Sequence, residues 1–243
     1  MIEVQGLAKR FGEVEAVREV SFNAADGHIT GLLGPNGAGK STTLRMLYTV
    51  LLPDAGHARI DGIDVIADPL AARRAIGVLP HAAGIYRHLT ARENIRYYGR
   101  LHGLAGAALA RRIDELVERL DMGEFADRRA GGFSQGQRIK VALARALVHS
   151  PRNVLLDEPT HGLDVMATRA LRDLVRELRA DGHCVLFSSH VMQEVAALCD
   201  EVVIIDHGMV AAAGTPADIQ AQFGGGSLED AFVRVLGERE GLA

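Results

Sequence analysis

Residues 29–42 read Ile29-Thr30-Gly31-Leu32-Leu33-Gly34-Pro35-Asn36-Gly37-Ala38-Gly39-Lys40-Ser41-Thr42. From Gly34 onward the stretch fits the phosphate-loop pattern G-x-x-x-x-G-K-[ST] at every fixed position. Gly34, Gly37 and Gly39 let the backbone turn tightly with its N–H groups inward, and Pro35, Asn36 and Ala38 fill the rest of that nest for phosphate oxygens. Lys40 brings a cation to the β- and γ-phosphates, and the Ser41 hydroxyl can ligate magnesium. The apolar run Ile29 to Leu33 predicts a strand. Thr42 to Leu52 predicts a helix whose positive N-terminus faces the bound anion. Strand, glycine loop and helix in that order imply a nucleoside triphosphate site.

Such a loop needs an acidic element to hold magnesium. Val154-Leu155-Leu156-Asp157-Glu158 supplies one, apolar strand residues ending in two carboxylates, with Asn153 making that strand start slightly late. Asp157 is the expected metal ligand, directly or through water, and Glu158 is placed to polarise an attacking water as general base. A solvated strand end is the plainer reading of adjacent acids. The upstream loop decides for the site.

Outward from these segments, 243 residues suit one large α/β domain with an inserted subdomain. Trp is absent and aromatics are only 5%, which argues against stacking platforms for single-stranded nucleic acid. A formal charge of −4 without a basic run argues against a phosphate-backbone surface. Cys184 and Cys199 lack metal spacing and sit in apolar contexts, so buried free thiols in a reducing compartment are expected. Met1-Ile2-Glu3-Val4 shows no signal-peptide texture, and no window approaches 18 uninterrupted apolar residues. A cytoplasmic protein is expected, with any membrane role depending on a partner.

Residues 1–28 alternate apolar and polar around Gly6, Gly12 and Gly27, which predicts short antiparallel strands. Ile60 to Val65 predicts a short strand and turn, and Ile76 to Leu79 a buried strand. From Tyr86 to Ala130 the texture is helical and charged, with Leu109, Ile113, Leu116, Val117 and Leu120 on one stripe. Gln137 to His149 predicts a helix stopped by Ser150-Pro151, and Asp164 to Ala180 another, with Leu171, Leu174, Val175 and Leu178 on one face. Cys184 to Phe187 and Val202 to Ile205 predict core strands, with Asp206-His207-Gly208 a hairpin turn. Gly224-Gly225-Gly226 reads as a break before a last helix, Leu228 to Leu236. The expected division is therefore 1–223, with a helical insert at about 84–150, and a helical tail at 224–243.

Phe133-Ser134-Gln135-Gly136-Gln137 resembles the LSGGQ signature of ABC-family ATPases, and Asp157 follows Ser134 by 23 residues, as in that family. Pro159-Thr160-His161-Gly162-Leu163-Asp164 resembles its D-loop. Ser188-Ser189-His190 resembles its switch-histidine segment, His190 lying 32 residues past Glu158. The resemblance spans residues 2 to about 220. It implies a phosphate-loop NTPase core of the ABC type, with an antiparallel β subdomain and an inserted α-helical subdomain. It also implies ATP and Mg2+ as ligands, and two nucleotide-binding subunits packed head to tail, most simply as a homodimer. Ser134, Gly136 and Gln137 would then meet the nucleotide of the other protomer, while His190 would contact the γ-phosphate in its own site. Phe11 resembles the family's adenine-stacking aromatic, with a packed core phenylalanine as the alternative.

Two positions depart from the family pattern. Gln135 replaces a signature glycine. His81, after Ile76-Gly77-Val78-Leu79-Pro80, stands where the family has a glutamine that meets magnesium and reports to the membrane half, so His81 is expected at the coupling position and as a candidate metal and nucleotide contact. Tyr86-Arg87-His88-Leu89-Thr90-Ala91-Arg92-Glu93-Asn94-Ile95 resembles a stretch of bacterial exporter subunits. His81, the run Lys140 to Arg145 and Cys199-Asp200-Glu201 together resemble the sodium-extrusion branch, to which drug-efflux subunits look similar. The implied function is hydrolysis of ATP to power export through a separate membrane permease. Rival readings are a translation or DNA-acting ABC ATPase, disfavoured by the single phosphate loop and absent basic patch, and a regulatory module with a dead site, disfavoured by Lys40, Asp157, Glu158 and His190.

Overall fold

The structure, a computed structural model, describes residues 1–82 and 84–240. A long antiparallel hairpin comes first, β1 (Ile2–Phe11) and β2 (Val14–Ala24). β3 (Ile29–Leu33) then runs through the glycine loop into α1 (Lys40–Leu47). A smaller hairpin, β4 (Ala55–Ile60) with β5 (Ile63–Asp64), is followed by α2 (Pro69–Ala75) and β6 (Ile76–Leu79). Three helices, α3 (Ala91–Leu101), α4 (Gly106–Arg119) and α5 (Gln135–Leu147), separate β6 from β7 (Asn153–Asp157). The chain continues as α6 (Val165–Ala180), β8 (Cys184–Ser189), α7 (Met192–Leu198), β9 (Glu201–Asp206), β10 (Met209–Gly214), α8 (Pro216–Gln222) and α9 (Leu228–Glu240).

The strands form one sheet in the order β5-β4-β1-β2-β10-β9-β3-β8-β7-β6. The β6–β7–β8–β3–β9 block is parallel, while β1, β2, β4 and β5 pair antiparallel. The apolar runs are continuous because the parallel block is covered on both faces. Along β8, Cys184 and Leu186 face the α1 side while Val185 and Phe187 face the side of α5 and α6. Along β9, Val203 and Ile205 oppose Val202 and Ile204 in the same way. Leu44 and Met46 of α1 seal one face, and Leu143, Leu171, Val175 and Val195 seal the other. This layering puts the loops that follow β3, β7 and β8 at the same edge of the sheet, the C-terminal ends where ligands bind in open parallel sheets.

The expected sheet strands are present, and Asp206-His207-Gly208 turns the β9–β10 hairpin with His207 and Gly208 at φ 46° and 76°. Several boundaries differ. The helix expected over 42–52 begins at Lys40 and stops at Leu47, because Thr49 adopts φ 64° and the N–H groups of Thr49 and Val50 close back on the carbonyls of Met46 and Arg45. Ile60 ends a strand rather than starting one, since Asp61 and Gly62 at φ 51° and 78° form a tight hairpin turn. The helix expected from Gln137 begins at Gln135, capped by Ser134, and ends at Leu147 rather than His149. The last helix runs past Leu236 to Glu240, and residues 241–243 of the expected tail lie outside the described residues. Short α2, α7 and α8 were not expected from the sequence.

Candidate functional site

The glycine loop closes on its own lysine. Lys40 Nζ donates to the carbonyls of Gly34 (2.7 Å) and Pro35 (3.0 Å), and the residue is only 5% exposed. Burial lowers the Lys40 pKa, with Glu158 and Asp157 pulling the other way. The loop's own carbonyls thus hold the ammonium at its crest. Backbone crowding explains the glycines: a Cβ on Gly34 would sit 2.2 Å from the Ile205 carbonyl, and one on Gly39, at φ 106°, 2.5 Å from that of Ala16. Phe11, 47% exposed at the end of β1, lines a cavity of about 390 Å3 together with Asn36 to Thr42 and Glu158.

The β7–β8 register builds the acidic side. Asp157 pairs opposite Ser188, whose hydroxyl donates to Asp157 Oδ1 at 2.7 Å. Ser41 Oγ donates to the same oxygen at 3.0 Å. Ser188 also receives the Glu158 N–H, at 3.0 Å on its hydroxyl and 3.2 Å on its carbonyl. One serine therefore holds the Asp157 carboxylate and the Glu158 backbone. Glu158 sits at φ 49°, a left-handed conformation that non-glycine residues seldom adopt, and this turns its side chain off the strand and into the site. In the sequence Ser188 stands out only as a neighbour of His190. Its role emerges only from the strand register.

The Glu158 carboxylate lies among cationic and imidazole groups. Oε2 is 3.3 Å from His190 Nδ1 and 3.8 Å from His81 Nδ1, and Oε1 is 3.9 Å from Lys40 Nζ. His81 in turn packs on His161, ring centroids 5.1 Å apart. His81, Glu158, His161 and His190 line a second cavity, of about 350 Å3, together with Asn36, Ser41 and Arg45. Phe11, the loop from Asn36 to Thr42, His81, Glu158 and His190 thus converge on two cavities that share Asn36, Ser41 and Glu158, and Ser41 ties Asp157 to them.

Ser134, Gly136 and Gln137 line neither of these cavities. Ser134 and Gln137 are joined in a reciprocal cap at the start of α5: Ser134 N–H donates to Gln137 Oε1 at 3.1 Å, and Gln137 N–H to Ser134 Oγ at 3.3 Å. Gly136 faces Ala167 at the start of α6, where an added Cβ would meet the alanine methyl at 3.5 Å.

The donor set fits magnesium. Asp157 is 2% exposed, and its Oδ2 is buried with no hydrogen-bond partner although Oδ1 accepts from two hydroxyls. A buried bare carboxylate oxygen is costly unless a cation meets it. Hydroxyl and carboxylate oxygens are the hard ligands this ion selects. Among the described residues no cluster of three or more His, Cys, Asp or Glu is placed to cage a metal.

Comparison with known proteins agrees with this geometry. The family model described as ABC transporter matches residues 17–161. The ABC transporter ATP-binding protein NatA of Bacillus subtilis is 44% identical over 215 residues, covering 86% of this chain and 87% of that protein. The daunorubicin resistance ATP-binding protein DrrA3 of Streptomyces coeruleorubidus is 37% identical over 237 residues, 98% of this chain and 75% of that one. Among solved structures, a dimeric ATP-binding cassette in a post-hydrolysis state with ADP and phosphate superposes with TM-score 0.80 at 27% identity, over 88% of this chain and 98% of the other.

Proposed function

The chain belongs to the ABC transporter family as an ATP-hydrolysing subunit, and from that premise we propose that it powers export through a separate membrane permease, with sodium ion as cargo. Among the described residues no helix is long and apolar enough to cross a membrane, so the path for the cargo lies in a partner. The sodium reading rests on the resemblance carried by His81, the run Lys140 to Arg145 and Cys199 to Glu201, and the export reading on residues 86–95. A drug-like cargo is the second reading, favoured by the resistance-protein relative. Comparing sodium efflux with drug resistance in cells carrying the chain and its permease decides between them.

The residues divide the chemistry as follows. Backbone N–H groups from Asn36 to Thr42 and the Lys40 ammonium hold the β- and γ-phosphates, and Phe11 stacks the adenine. Ser41 and the bare Asp157 Oδ2 would hold magnesium, which supplies charge neutralisation between those phosphates, with His81 beside them. Glu158 takes a proton from water as its oxygen attacks the γ-phosphorus and the bridging bond to ADP breaks. His190 stabilises the charge on the transferring group. Ser134, Gly136 and Gln137 complete the site of a second copy, head to tail, and the 84–150 insert carries the motion to the permease. The carrying observation is that Lys40, Ser41, Asp157, Glu158 and His190 converge within one protomer while the signature residues stay outside.

Magnesium-dependent ATPase activity measured across protein concentration tests this reading. Hydrolysis should rise more than linearly, and Glu158→Gln should lower it by at least ~100-fold, the contribution of a positioned base. Linear activity, or activity surviving the substitution, overturns the shared site.

A further inference from the structure

Glu194, in the first turn of α7, is 5% exposed and takes no part in the chemistry above. Its Oε2 accepts from two hydroxyls that belong to different loops. Thr160 Oγ1, in the loop after Glu158, donates at 2.8 Å, and Ser189 Oγ, at the end of β8, donates at 3.2 Å. Ser189 also receives the Val191 N–H at 2.9 Å, so its hydroxyl bridges the backbone on either side of His190. The other oxygen, Oε1, stands 3.5 Å from an Arg172 nitrogen on α6. Glu194 thus faces α6 through one oxygen and joins two separate loops through the other. We propose that Glu194 is a positioning residue that ties the Thr160–Asp164 loop to the His190 backbone, so that when the second copy displaces that loop, His190 moves onto the γ-phosphate.

The coupling follows from charge and burial. A buried carboxylate oxygen that accepts from two hydroxyls, at 2.8 and 3.2 Å, holds both partners more firmly than a neutral acceptor would. Loss of one hydroxyl lets the two loops move independently. The inference rests on the head-to-tail reading above, because the displacement comes from a second protomer.

Thr160→Val removes one tie and leaves Glu194 bonded to Ser189 and paired with Arg172, so the buried acid keeps partners and the fold is retained. Thr160→Ser restores the hydroxyl. Thr160→Val should lower kcat about 10-fold, the scale of outer-shell orientation effects. KM for ATP should stay within about twofold of wild type, with Tm within ~3 °C, since larger Tm losses signal more than ~1 kcal/mol of lost stability. Thr160→Ser should recover most of kcat. ATP-driven pairing of a Glu158→Gln background should be unaffected by Thr160→Val. An unchanged kcat, or a fall in kcat, KM and Tm together that serine does not rescue, overturns the role of Glu194. Activity linear in concentration for the wild-type chain would instead remove the dimer premise, and the two failures are read from different proteins.

Discussion

His149 shows how burial, above its other surroundings, sets a side chain's chemistry. Its Nε2 meets the Ile76 carbonyl at 2.9 Å, and its ring stacks on His102 at 3.6 Å between centroids. Burial, with repulsion from His102 and Arg112, pushes its pKa down to about 4, while the Ile76 bond opposes the shift. The imidazole is therefore neutral in the folded chain near pH 7, with Nε2–H as the donor. Unfolded, it titrates near 6.5. Between those values the unfolded chain binds a proton that the folded one refuses, so stability is full above pH 6.5 and declines as pH falls toward 4. His149→Gln, which can still donate to Ile76, should lose less Tm than wild type between pH 7 and pH 4.5. Equal losses would show that the ring is not protonated on unfolding in this window. At this scale the residues tied to fixed offsets were legible. Lys40 belongs to the phosphate-loop pattern, Asp157 and Glu158 to the acidic strand end, and His190 to a segment that resembles the family's, whereas Ser188, Thr160 and Glu194 meet only because β7 pairs with β8 in one register and α7 returns across it.

Elements follow the same division between local and distant causes. β6 and β7 are readable as apolar runs, but their closeness to α5 is not. Gly77 lies under that helix, and an added Cβ would stand 2.3 Å from the Ala146 carbonyl and 2.8 Å from Pro151 Cγ. The first is backbone and cannot rotate away. Gly77→Ala should therefore destabilise by roughly 1–3 kcal/mol, the range for overpacking, as measured by urea unfolding. A neutral result would mean that α5 shifts freely from the sheet. The short helices escaped notice because periodicity needs more than two turns to be visible. Asp68-Pro69 and Thr215-Pro216 nevertheless carried the cap-then-proline signal that starts α2 and α8. Ser134 and Gln137 likewise spelled the cap that starts α5 two residues earlier than the apolar pattern suggested.

At the scale of the molecule, the sequence implied a parallel core with an antiparallel hairpin, and the sheet order bears this out. The exposed apolar surface could not be read from it. Val165 and Met166, at the start of α6 beside the Thr160–Asp164 loop, are 82% and 72% exposed. A large apolar pair in that place suits contact with a second copy. Val165→Asp in a Glu158→Gln background should weaken ATP-dependent pairing by more than ~1 kcal/mol, about fivefold or more in dissociation constant, as read by sedimentation. Pairing of undiminished strength would place the contact elsewhere.

The position of β3 has a consequence for how the chain is made. Ile29–Leu33 lies between β8 and β9, so both of its neighbours come from the last third of the sequence. At about 5–20 residues per second, the ribosome needs on the order of 10–30 s after Leu33 to produce Cys184. Through that interval the strand leading into the phosphate loop is five residues, largely apolar, with neither edge paired. Nascent chains of this protein thus cannot assemble the nucleotide pocket until synthesis is nearly over, and until then they carry an unpaired apolar strand open to mispairing.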